Sequence, residues 1–243
     1  MIDVSDPGLT FYVDKLTRRE PFALVRYGDG EWSAIVQDRR TCVGQRLDLP
    51  GMREAMMLSI KRAYNDPRYL MACHPNQARG DIEEWLRANQ PPFLKWLDNR
   101  TLYQASRKGR LYPFVAALRE LSTSLVIIGP PHLRNLARVL PYAGFIEIPP
   151  VDAWPMLEHV LAEAENYRGA VFSISAGPMS SPLVWRMFAR GHCDRGVLLD
   201  VGSLWDVYAG KASRSYQYGM KADIIQRNLE AARLAYQTEV LAC

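Results

Sequence analysis

The sequence predicts a doubly wound α/β domain, a mainly parallel sheet flanked by helices, and three observations predict it. Short apolar, β-branched runs alternate with segments of helical periodicity along the chain. Several runs are apolar at successive positions, which suits strands covered on both faces. No internal repeat, low-complexity tract or Gly/Ser linker breaks the alternation.

Strands are expected at residues 22–27, 69–73, 125–129, 145–148, 171–175 and 197–201. A helix over 52–64 puts Met56, Met57, Ile60 and Tyr64 on one face, and 82–97, 111–121 and 156–167 repeat that spacing. Ser181-Pro182 reads as an N-cap followed by proline at the first helical position, opening a helix through Met187-Phe188. Residues 222–241 form a last amphipathic helix, with Ile225, Leu229, Ala232 and Tyr236 on its apolar side. The expectation is a single domain over 1–243, with a candidate helical insertion at about 80–110.

Composition narrows the class. Hydrophobic residues make up 48% and charged residues 23%, which excludes a disordered chain. The first residues lack a basic start and an apolar core, and apolar runs such as Leu125-Val126-Ile127-Ile128 are strand-sized. A protein that is cytoplasmic, or at most peripheral to a membrane, is therefore expected. Cys42, Cys73, Cys193 and Cys243 form no CxxC pair, which argues against a disulfide framework or a zinc site. Net charge is +4, and arginine far outnumbers lysine. The local basic groups, Arg39-Arg40 with Arg46 and Arg100 through Arg110, read as solvated faces.

The richest motif is Arg26-Tyr27-Gly28-Asp29-Gly30-Glu31, directly after the apolar run Phe22-Ala23-Leu24-Val25. Glycines allow a tight turn at the end of a buried strand, and Asp29 and Glu31 can point from it at one focus. Two hard carboxylates there suit a Mg²⁺ or Mn²⁺ ion shared with a phosphate.

Three other strand ends carry polar groups. After 125–128 comes Gly129-Pro130-Pro131-His132-Leu133-Arg134-Asn135, a turn that can hold a phosphate or ribose, or simply start a helix. After the next run, Ser175-Ala176-Gly177-Pro178 lets a ligand approach the backbone closely and also serves a plain turn. Asp200 and Asp206, after 197–199, are candidates for a third metal ligand, a sugar-hydroxyl acceptor or a general base. Lys211, Arg214 and Tyr216 follow and can close over a diphosphate. The four histidines show no ligand spacing, and only His132 lies in one of these loops.

Arg26–Glu31 resembles the metal-binding signature of the GT-D class of glycosyltransferases, in which a Rossmann-like domain binds a nucleotide sugar through an Asp-x-Glu pair and a divalent cation. The resemblance continues in chain order. Ile128-Gly129-Pro130 with Asn135 is similar to the family's strand-then-glycine loop, and Ser175-Ala176-Gly177-Pro178 to its Leu-Gly-Pro loop. Residues 199–206 are similar to its Asp-Ile-Gly-His segment, with Ser203 standing where many members carry histidine. No such likeness extends over 41–121, where acceptor recognition is expected.

The resemblance implies that Asp29 and Glu31 hold Mn²⁺ or Mg²⁺ against the diphosphate of a UDP-type sugar. It implies a donor site at Arg26, Gly28, Gly129, Pro130, Arg134, Asn135, Ser175 and Gly177. Asp206 and Asp200 become the candidate catalytic acids, Asp206 as the base if the reaction inverts configuration. The partners are then a nucleotide-sugar donor and a glycan or other hydroxyl-bearing acceptor, a modified nucleic-acid base included. Trp85, Trp96 and Tyr103 are candidates for an acceptor groove or a homodimer contact.

Two other readings stand beside it. A methyltransferase or dehydrogenase on the same sheet calls for GxGxxG after the first strand, and that fingerprint is absent. A non-enzymatic module would use its acids to cap turns and its basic surface to bind an anion or nucleic acid.

Overall fold

The computed structural model describes residues 2–240, with side chains through Leu234. Among the described residues, eight strands form one sheet in the order β1-β6-β5-β2-β10-β9-β7-β8, and every neighbouring pair is parallel. They are β1 (Val4–Ser5), β2 (Phe22–Tyr27), β5 (Tyr69–Cys73), β6 (Trp96–Asp98), β7 (Leu125–Gly129), β8 (Gly144–Glu147), β9 (Val171–Ile174) and β10 (Val197–Asp200). A small antiparallel hairpin, β3 (Thr41–Cys42) with β4 (Gln45–Arg46), lies apart from the sheet.

Side chains of the central strands alternate between two cores. Ala23, Val25 and Tyr27 of β2 point into one, Phe22 and Leu24 into the other. The first core is closed by α2 (Asp29–Ile35), α3 (Met52–Lys61), α4 (Asp81–Asn89), α7 (Leu157–Ala164) and α8 (Ser180–Ala189). The second is closed by α1 (Gly8–Thr17), α5 (Thr101–Arg107), α6 (Tyr112–Glu120) and α9 (Ala222–Val240). This is the doubly wound, Rossmann-like plan that the apolar strands predicted.

Differences from expectation have local causes. The helix expected over 82–97 stops at Asn89, because Gln90 precedes Pro91-Pro92 and takes an extended ψ of 149°. Trp96 then starts β6 and is buried in the first core, so it lines no groove. The candidate insertion at about 80–110 thus holds α4, β6 and α5, with β6 paired between β1 and β5. Ser181 is no N-cap, since α8 begins at Ser180, whose Oγ accepts the Ala176 N–H at 3.1 Å. On α9, Ile225, Leu229 and Ala232 face the second core, while Leu241 and the Tyr236 side chain lie outside the described residues. Cys42, Cys73 and Cys193 are free thiols, and Cys243 lies outside the described residues.

Two connections position the site. The chain leaves β2 toward the first core through α2, whereas it leaves β10 toward the second core through Val201, Leu204 and Trp205. Adjacent strands with opposite exits open a crevice at their carboxyl ends, where ligands of such sheets bind.

Candidate active site at the β2–β10 crevice

Asp29 and Glu31 do not sit in an open turn; they occupy the first turn of α2. Gly28 is its N-cap and donates its N–H to Glu31 Oε2 at 2.9 Å, while the Trp32 N–H reaches Gly28 O at 3.1 Å. Acids suit this end of the helix dipole. Gly30 suits a close approach, because a Cβ there would stand a tight 3.3 Å from Pro178 in the loop after β9.

The two carboxylates differ in environment. Asp29 is exposed and accepts a hydrogen bond from Gln77 Nε2, in the loop after β5. Glu31 is 8% exposed, and burial, with Asp200 close by, pushes its carboxyl up to about 7. Asp200 is likewise buried and pushed up to about 6, partly offset by Arg26 and by two backbone donors. Those donors are the N–H groups of Arg26 and Gly202, each 3.1 Å from a different Asp200 oxygen. Asp200 therefore ties the ends of β2 and β10 together.

Arg26 supplies the positive charge. It has no ion pair among the described residues, and its buried Nε lacks a hydrogen-bond partner. Its Nη1 lies where Gly202, at φ +55°, leaves room: a Cβ on that glycine would stand 2.7 Å away. Gln77 Oε1 and Ser175 Oγ are further buried polar atoms without partners at this edge of the sheet. Buried polar atoms in a folded protein are normally paired, so unpaired ones at several strand ends are candidate contacts for a polar ligand.

The β7 and β9 ends meet next to each other. The Ser175 N–H donates to Ile128 O at 2.8 Å, and a Cβ on Gly129 would lie 3.5 Å from that of Ser175. Pro130 leads into a 3₁₀ helix, Pro131–Arg138, rather than an α-helix. Gly177 turns at φ +57° beside Gln45 of the hairpin, which is itself bonded to Pro150 O and the Asp152 N–H. Arg134 is turned outward: it pairs with Glu147 at 2.9 Å and its guanidinium lies over Phe145 at 4.4 Å. Asn135 reaches Ala209 O at 3.3 Å and thereby links the β7 and β10 connections.

Asp206 is held by His132 Nε2 at 3.0 Å and by Ser213 Oγ. Ser203 Oγ is bonded to Tyr216 OH at 2.9 Å, and the Tyr216 ring lies 4.9 Å from that of Tyr103. Trp85 packs partly buried against the first core. Among the described residues no three His, Cys, Asp or Glu side chains are clustered to hold a metal by themselves.

The sequence missed Gln77, Asn99, which donates to Tyr27 O at 2.9 Å, and the pairing of His132 with Asp206. Gln77 and Asn99 had a signal, since both stand in loops that follow strands of the same sheet. His132 and Asp206 are 74 residues apart, and nothing in the sequence joins them.

No family model and no curated protein matches the sequence. The fold does match solved structures. A new glycosyltransferase (DUF1792) from Streptococcus sanguinis superposes with a TM-score of 0.60 at 17% identity, over 85% of this chain and 84% of that one. A second structure of domain of unknown function 1792, described as a distinct glycosyltransferase fold, gives 0.59 at 15% identity over 84% and 80%. A selenomethionine form of that domain gives 0.58 at 14% identity over 84% and 80%. Identities this low speak for the fold, and the fold of this chain is the glycosyltransferase fold of those structures, as the GT-D resemblance implied.

Proposed function

We propose that this protein is a metal-dependent glycosyltransferase that moves a sugar from a nucleotide-diphosphate sugar, of the UDP type, to an acceptor hydroxyl. One observation carries the reading: at the switch point of a glycosyltransferase fold, an acid pair on α2 stands beside an arginine that makes no ion pair among the described residues. Acids alone would repel a diphosphate, and the arginine alone would not need them. Together they suit a phosphate ligand that arrives with a divalent cation.

The residues fit such a cation. Glu31 is a buried carboxyl with Asp200 close by and only partly offset by Arg26, and Asp29 offers hard oxygens at the surface two residues before it. Asp29 and Glu31 would hold Mn²⁺ or Mg²⁺. The chemistry a cation supplies there is neutralisation of the charge that builds on the departing nucleoside diphosphate.

The chain's own groups do the rest. Arg26 donates charge-assisted hydrogen bonds to the diphosphate. Gly28, Gly129, Pro130, Ser175 and Gly177 let the nucleotide approach backbone, with Ser175 Oγ as a donor. Asn135 holds the β7 loop in place, and Arg134 joins the donor site only by leaving Glu147. Asp200 fixes the crevice by bridging its two strands, and Asp206 acts on the acceptor side.

Calorimetric titration of UDP with and without Mn²⁺, into the wild type and an Asp29→Ala/Glu31→Ala variant, tests the reading. Mn²⁺-dependent binding that the variant loses supports it. The capping box of Glu31 favours the rival, in which the acids serve only the helix; unchanged nucleotide binding in the variant would select that rival.

A further inference from the structure

The loops after β7 and β10 leave strands separated by β9, yet His132 of the first and Asp206 of the second meet at 3.0 Å. Both carboxylate oxygens of Asp206 already have partners. Oδ1 faces His132 Nε2, Oδ2 accepts Ser213 Oγ–H, and only 8% of the side chain is exposed. Ser213 is fixed in turn, because Gln217 Oε1 accepts its N–H at 2.7 Å and that of Arg214 at 3.0 Å. Gln217 Nε2 also donates to Ser203 O at 2.6 Å, so the segment after β10 is laced beneath the carboxylate.

His132 is the member of the pair that reaches solvent, with 20% of its side chain exposed. A carboxylate at Nε2 keeps the ring proton on that nitrogen and leaves the lone pair on Nδ1. His132 Nδ1 has no hydrogen-bond partner among the described residues. The arrangement is a buried acid that orients an imidazole whose free nitrogen is available at the carboxyl edge of the sheet.

We infer that His132 is the general base of the transfer and that Asp206 is its positioning residue, not the base itself. The inference rests on the transferase reading given above. In the step, the acceptor oxygen bonds to the anomeric carbon while its proton passes to His132 Nδ1. The bond from that carbon to the diphosphate oxygen breaks, and its electron pair leaves on the nucleoside diphosphate. Asp206 holds the ring and stabilises the imidazolium that forms. A protein base on the acceptor side goes with attack opposite the leaving group, so the product has inverted configuration.

The test uses a panel of nucleotide sugars with methanol as a small acceptor, Mn²⁺ present, and nucleoside diphosphate release as the readout. His132→Ala should lower kcat by about 10²–10⁴-fold, with the Kd for nucleoside diphosphate unchanged within about twofold. Added imidazole should restore part of that kcat, which it would not do for a merely structural histidine. His132→Gln, whose amide can still donate to Asp206, keeps the loop tied should the alanine variant fail to fold, and it should be equally slow. Asp206→Asn should lower kcat without raising the donor KM, and Asp206→Glu should recover part of it. The methyl glycoside from the wild type should be inverted by NMR. Near wild-type kcat in the histidine variants, or a retained product, overturns the inference and leaves the transferase reading intact. If the wild type cleaves no nucleotide sugar at all, the transferase reading fails and this inference falls with it.

Discussion

Gly202→Ala probes the role of Arg26 without replacing the arginine. The added methyl would stand 2.7 Å from Arg26 Nη1, at the far end of a flexible side chain, so the guanidinium must move from its present position. At φ +55° the substitution also costs about 1–2 kcal/mol in backbone energy. A charge-assisted hydrogen bond is worth about 1.5–3 kcal/mol. If Arg26 grips the diphosphate, displacing it weakens nucleoside diphosphate binding by about 10–150-fold. Gly210→Ala is the matched control, because it sits at φ +86° with nothing within 4 Å of its Cβ. Urea unfolding should report a similar stability loss for both variants, and calorimetry with Mn²⁺ and UDP should report an affinity loss for Gly202→Ala alone. Equal affinities in the two variants would refute the assignment of Arg26 to the diphosphate.

Glu31→Gln should stabilise the metal-free protein at pH 8 and abolish Mn²⁺-dependent nucleotide binding. The folded carboxyl titrates at about 7 against an ordinary 4.5, so between those values the folded state holds a proton that the unfolded chain has lost. Wild-type stability therefore falls as pH rises through that window, by up to about 3 kcal/mol. Glutamine still accepts the Gly28 N–H, and its advantage should vanish below pH 4.5 in thermal melts. Ser173→Ala removes the partner of buried Trp205 Nε1, bonded at 2.8 Å beneath the crevice; chemical denaturation should show a loss of about 1–3 kcal/mol.

Strands buried on both faces were legible because burial demands apolar residues at every position, as in Leu125–Gly129. Strands of two or three residues were not: β1 is held by register with β6, and β6 begins with a tryptophan whose spacing continued the helical period of α4. The crevice was legible at Asp29 and Glu31, since glycines and acids at a strand end are a local pattern. What each acid does was not, because burial separates exposed Asp29 from Glu31 at 8%. The bridge that Asp200 makes to the Arg26 N–H spans 174 residues, and only the sheet order brings the two together.

The most direct measurement is turnover itself: release of nucleoside diphosphate from UDP-, GDP-, CDP- and TDP-sugars, in Mn²⁺ and in EDTA, by the wild type and by Asp29→Ala. Release from one of these donors should require the metal and disappear in the variant. No release from any donor, or release that persists equally in EDTA and in Asp29→Ala, would contradict it.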